Sequence, residues 1–239
     1  MEVPSGRSFD SLDLRIVQLF AQYRFVDWRE EEFKLKSGVL SHVYVFGRED
    51  LTDHPDLEWL LGRKMAQLVR NNAVERGDLK PQCLIGIPTA GTVLAQAAAM
   101  VDHSWERISG YEGGSPRIIH RVMREVLKTH GAHPDWVNGK PIPDHTYWSV
   151  DNVVTDAGTK VEARGRFQES GYPVDQMPAL VLVDRQQGGI KRMIQSGFSN
   201  IVVAYNLLDL TFVFQQLGLW PKNAVQAVAE EIKAHQLVS

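Results

Sequence analysis

Apolar residues recur at helical spacing near the start of the chain, at Leu12, Ile16, Leu19, Phe20 and Tyr23. They predict a helix with Asp10 or Ser11 as its N-cap. Leu57, Leu60, Leu61, Met65 and Leu68 form a second stripe, which predicts a helix over 55–72. Between them, residues 33–45 alternate around Ser37-Gly38, the pattern of a hairpin. From about residue 82 the pattern changes to short, largely apolar runs at 82–87, 147–150, 177–183 and 201–205, with a further strand over 117–123. Such runs suit strands covered on both faces. Helical stretches alternate with them: Val93 to Met100, Val161 to Phe167 closed by Gly171, 210–217 capped by Asp209 and ended by Gly218, and 224–235. Strand and helix in alternation imply an α/β fold with a parallel, doubly wound sheet.

A chain of 239 residues, 44% hydrophobic and 23% charged, suits one globular domain. A net charge of −3 gives no basic footprint for nucleic acid. No apolar run reaches the roughly 20 residues that span a bilayer, and Met1 to Asp10 lacks the order of a signal peptide. Cys83 is the only cysteine, so intrachain disulfides and cysteine-based zinc sites are excluded and a reducing cytoplasm is expected.

The chemistry concentrates after the strand at Tyr147-Trp148-Ser149-Val150. Asp151 and Asn152 follow it, then Thr155-Asp156-Ala157-Gly158-Thr159. Hydroxyls, a glycine and helix-starting amides make that last segment an anion cradle. Asp151 and Asn152 stand at a strand's carboxyl end, where open α/β sheets bind ligands. A ligand with both a phosphate and sugar hydroxyls would use all of these groups.

This stretch resembles the phosphoribosyl pyrophosphate (PRPP) signature of type I phosphoribosyltransferases, in which an acidic pair holds the ribose hydroxyls and the loop holds the 5′-phosphate. The sequence departs from it at Asn152, where a second acid is expected, and at Asp156, where the loop usually has Thr, Ser or Ala. Other segments resemble orotate phosphoribosyltransferases in the family's order. Phe33-Lys34-Leu35-Lys36-Ser37-Gly38 matches the N-terminal signature, whose lysine, here Lys36, reaches the PRPP and orotate pocket. Pro88-Thr89-Ala90-Gly91-Thr92 is similar to the pyrophosphate loop. Arg124, Lys128, His130 and Gly131 match the mobile catalytic loop, with Glu125 replacing one cation. Asp184-Arg185-Gln186-Gln187-Gly188 matches the segment whose arginine grips the orotate carboxylate.

The resemblance implies a single domain over 1–239, with a hood at about 1–50, a core at about 51–220 and a C-terminal helix at 221–239. It implies magnesium-dependent transfer of phosphoribose from PRPP to orotate, giving orotidine monophosphate and pyrophosphate. Lys128, Arg124, His130 and Asp151 are then the catalytic set. Lys36, Thr89, Ala90, Gly91, Asp151, Asn152 and Thr155 to Thr159 (with Asp156, Ala157 and Gly158) bind PRPP. Lys36, Tyr44, Thr155 and Arg185 bind orotate. Asp151 meets Mg²⁺ only through water or the ribose diol. A homodimer whose lid reaches the neighbouring site is also implied. The alternatives are a non-catalytic, regulatory relative and a phosphoribosyltransferase for another base.

Overall fold

The computed structural model describes residues 1–35, 38–45, 51–109, 116–126, 136–137 and 140–234, without the side chains of 105–109. Helix α1 (Ser11–Gln22) leads into an antiparallel hairpin of β1 (Val26–Lys34) and β2 (Leu40–Val45), with an irregularity between Trp28 and Phe33. Helix α2 (Pro55–Glu75) then enters the α/β core. There β3 (Gln82–Gly86), β4 (Ile118–Val122), β5 (Thr146–Val154), β6 (Ala179–Asp184) and β7 (Ile201–Asn206) form a parallel sheet in the order β4-β3-β5-β6-β7. Helices α3 (Ala90–Ser109), α4 (Gly158–Glu169), α5 (Gly189–Gln195) and α6 (Leu207–Gln216) follow their strands, and α7 (Ala224–Ala234) comes last.

The short apolar runs divide by strand alternation between the sheet's two faces. Leu84, Trp148 and Leu180 enter the larger core, with residues of α1, α2, α3, α6 and α7. Cys83, Ile85 and Tyr147 face a second cluster with Phe167 and Tyr172, while Ala179 and Val181 face a third with Met193 and Phe198. Burial pushes the Cys83 thiol up to about 12, so it remains a small apolar core group.

Several elements differ from the sequence expectation. Helix α3 begins at Ala90, so the expected turn at 88–92 is partly its first turn. Asp209 lies inside α6, whose N-cap is Asn206. Its carboxylate accepts instead from the Ser5 amide at 3.0 Å and the Ser5 hydroxyl at 2.7 Å. The expected loop at 124–144 contains a core anchor: Trp136 is buried against Phe167 and Tyr172, and its indole N–H donates to Ser170 Oγ at 2.8 Å. Among the described residues, no helix is long and apolar enough to cross a membrane.

Candidate active site

The chain runs from β3 outward to β4 and then returns to β5 on the other side of β3. The carboxyl ends of β3 and β5 therefore flank the switch point of the sheet, where open α/β folds leave a crevice for ligands. Both sequence-selected loops start there. Thr89, Ala90 and Gly91 follow β3, and Thr155 to Gly158 join β5 to α4. The segment 185–188 after β6 is the third of the set.

These loops abut through glycines. A Cβ on Gly91 would lie 2.2 Å from the Val150 carbonyl oxygen and 3.3 Å from Asp151 Cα, so only a bare backbone fits between β5 and α3. A Cβ on Gly189 would lie 2.5 Å from the Thr155 carbonyl oxygen. The Ile87 amide donates to the Val150 carbonyl at 2.8 Å, and the Arg185 amide to the Val154 carbonyl at 3.0 Å. Candidate residues for pyrophosphate, ribose, phosphate and acceptor are thereby held on one edge.

Within the loop from β5 to α4, Ala157 adopts the left-handed conformation at φ 64° and turns the chain into α4. The first amides of a helix have no intrahelical acceptors and favour an anion. One is partly served from within, because Asp156 Oδ1 accepts from the Gly158 amide at 3.0 Å. The Asp156 carboxylate also faces Arg192, at 4.0 Å, and the Arg192 guanidinium donates to the Asp156 carbonyl at 3.0 Å. The acid that departs from the family pattern thus has a cation beside it.

Asp151 is buried, and both of its oxygens are engaged. Oδ1 accepts from the Asn152 amide at 2.8 Å, and Oδ2 pairs with Lys160 Nζ at 2.5 Å. The same ammonium donates to the Val153 carbonyl and lies 3.4 Å from Thr159 Oγ1. Lys160 was not singled out in the sequence, because a lysine in a helix's first turn reads as a surface residue. Carboxylate oxygens have further lone pairs, so Asp151 can still accept from a hydroxyl. The described residues contain no cluster of three or more His, Cys, Asp or Glu able to hold a metal. With Asp151 paired to Lys160 and Asn152 neutral, this edge does not fit a cation ligated directly by protein.

Arg185 is almost wholly buried and ties the hood to the core. Its Nη1 donates to the Val43 carbonyl at 2.9 Å, and its Nη2 to Ser41 Oγ at 2.8 Å and to Glu231 Oε1 on α7 at 3.0 Å. Burial lowers the guanidinium pKa and Glu231 opposes the shift. Gln187 Nε2 donates to Glu231 Oε1 at 2.7 Å, and the Ser41 hydroxyl to Oε2 at 2.9 Å. Glu231 had no local sequence signal, since it lies 190 residues from Ser41 and 46 from Arg185.

Tyr44 lies in the hood, its ring 5.3 Å from Phe33, with the Arg29 guanidinium 5.4 Å above it. The Thr89 hydroxyl meets Glu125 at 3.4 Å, which brings the segment after β4 to the loop after β3. The Arg124 carbonyl accepts from Arg166 at 2.8 Å. Lys36, Lys128 and His130 lie outside the described residues.

No family model matches the chain. It is 28% identical over 190 residues to an orotate phosphoribosyltransferase of Rhodopirellula baltica, covering 80% of this chain and 91% of that protein. Its fold is similar to that of an orotate phosphoribosyltransferase from Aeropyrum pernix, with a TM-score of 0.59, 21% identity, and coverage of 86% of this chain and 99% of that one. A UMP synthase of Leishmania donovani gives a TM-score of 0.67 at 19% identity over 92% of this chain. The chain spans only 42% of that longer protein.

Proposed function

We propose that this chain, a type I phosphoribosyltransferase by fold, is an orotate phosphoribosyltransferase, transferring phosphoribose from PRPP to orotate and releasing pyrophosphate. The observation that carries this reading is the abutment of the loops after β3, β5 and β6 at the switch point, with Gly91 against Val150 and Gly189 against Thr155. Their residue types are those that a phosphorylated, diphosphorylated sugar and a carboxylated base require.

In this reading the α4 start, with Thr155 to Thr159, holds the 5′-phosphate through amides and hydroxyls. Asp151 and Asn152 accept from and donate to the ribose hydroxyls. Thr89 to Gly91 and Lys36 take the pyrophosphate. Lys128, Arg124 and His130 place positive charge and proton donors where negative charge grows on the leaving group. Arg185 presents the fork geometry that matches a carboxylate, and Tyr44 lies on the hood side of the acceptor. Mg²⁺ belongs to the proposal as a partner of the substrate pyrophosphate, whose charge it neutralises. Asp151 meets it only through water or the diol. A homodimer, with the 124–144 segment serving the neighbouring site, and a cytoplasmic setting complete the reading. The setting rests on the single free, buried cysteine.

The test is orotate consumption with PRPP, with and without Mg²⁺, in the wild type and in Lys128→Ala and Arg185→Ala. Metal-dependent turnover is expected, falling about 10²-fold or more in Lys128→Ala, the scale on which a preorganised charge acts. Arg185→Ala should lose orotate turnover as well, and its melting curve must accompany the assay because Arg185 also pins the hood. Absent turnover with PRPP still protecting against heat would assign another acceptor base. Absent PRPP binding would mean a fold kept for a different task.

A further inference from the structure

The groups around Arg185 form a built carboxylate site that the chain fills itself. Glu231 receives donors from Arg185 and Gln187 on one oxygen and from Ser41 on the other, at 2.7–3.0 Å. All three donor residues are at most 2% exposed. Two polar atoms on the side chains that hold Glu231 lack partners among the described residues: the Nε–H of Arg185 and the Oε1 of Gln187. One is a donor that a carboxylate would satisfy, and the other an acceptor that a ring N–H would satisfy. A heterocycle carrying a carboxylate beside a ring N–H offers both groups. The internal glutamate offers only the first.

We propose that Glu231 is an internal occupant of the acceptor's carboxylate anchor, and that acceptor binding exchanges one carboxylate for another on Arg185. The inference rests on the phosphoribosyltransferase reading and names a specificity-determining residue that the reading lacks. Exchange is physically reasonable because the guanidinium is never left bare. Stripping a buried arginine of its counter-charge is strongly unfavourable, whereas replacing one carboxylate by another keeps the charge paired. The carrier of Glu231 is also suited to yielding, since α7 buries only Ala224, Val228 and Ile232. An occupied anchor lowers apparent affinity by the fraction of molecules in which it is free. Glu231 therefore tunes the acceptor's affinity and leaves that of PRPP untouched.

The experiment compares heat protection by orotidine monophosphate and by uridine monophosphate, which differ in the carboxylate, in the wild type and Glu231→Gln. Removing the competing charge should lower the half-protecting concentration of orotidine monophosphate by about tenfold and leave that of uridine monophosphate unchanged. In steady state, KM for orotate should fall and KM for PRPP should not. Glu231→Ala is the second variant. It should melt at lower temperature yet show the same selective gain, which a purely structural role for Glu231 would not produce. If both nucleotides shift together, or if orotidine monophosphate binds no better in Glu231→Gln, the exchange is refuted and the transferase reading stands. If neither nucleotide nor PRPP protects the wild type, the transferase reading falls and takes the inference with it.

Discussion

Lys160 and Asp151 set the electrostatics at the carboxyl end of β5, the proposed ribose end of the site. Their side chains are 8% and 9% exposed, so each would be a buried, uncompensated charge without the other. Breaking such a pair from one side costs about 3–5 kcal/mol. Lys160→Met should therefore lower the unfolding free energy by about that amount, read from urea denaturation, and Lys160→Arg should lose less. The pair also bears on Asn152. With Asn152 neutral and the Lys160 ammonium against Asp151, positions 151–152 are closer to neutral than the acidic pair of the family pattern. Asp156 is handled similarly, by Arg192 and by the Gly158 amide. Asp151 was legible because a carboxylate that ends an apolar run is unusual, although β5 continues through it to Val154. Lys160 was not, because its reach back to β5 exists only once α4 docks.

At the scale of elements, α1 shows local sequence deciding structure. Asp10 accepts from the Asp13 amide at 2.9 Å, and Asp13 accepts from the Asp10 amide at 3.2 Å, a reciprocal cap on the first turn. Asp13 then ties α1 outward, to Lys64 on α2 at 2.6 Å and to the Tyr205 hydroxyl on β7 at 2.8 Å. Burial, and then Asp13, raise the Tyr205 pKa well above its ordinary value. The Asp13 amide holds the Asp10 carboxyl below the usual aspartate range. A depressed carboxylate adds stability above its unfolded pKa, and that stability is lost as pH falls through the lower, folded value. Asp10→Ala should thus cost about 1 kcal/mol near neutrality. Urea midpoints measured down the acid limb should show the gap between variant and wild type closing as Asp10 protonates. Helix α6 shows the opposite case. The sequence offers Asp209 as its cap, but Ser5 claims that carboxylate from 204 residues away.

For the whole molecule, hood, core and terminal helix meet at one guanidinium. Arg185 reaches β2 through Val43 and Ser41 and reaches α7 through Glu231, so the residue proposed to anchor the acceptor is also a structural junction. The proposed dimer has its own test. Light scattering should report a particle of two 26.9 kDa chains. If the 124–144 segment serves the neighbouring site, mixing the separately inactive Lys128→Ala and Arg185→Ala proteins should restore orotate turnover, since one hybrid site keeps both residues. A dimer without recovery would place the segment over its own site.

The sequence alone determined the parallel sheet and the small-residue loops at its carboxyl edge. Strands buried on both faces must be mostly apolar, as at 82–87 and 177–183, and a tight strand-to-helix loop needs small and hydroxyl residues directly after its strand. Such constraints act over a few consecutive residues and are written there. Tertiary structure alone decided which charges meet. Lys160 finds Asp151, Asp209 finds Ser5, Trp136 finds Phe167, and Glu231 finds Arg185 only after sheet, hood and terminal helix have docked. A charged side chain reads as solvated until folding removes the water around it. Only then does its partner, which can lie anywhere in the chain, become the term that decides its place.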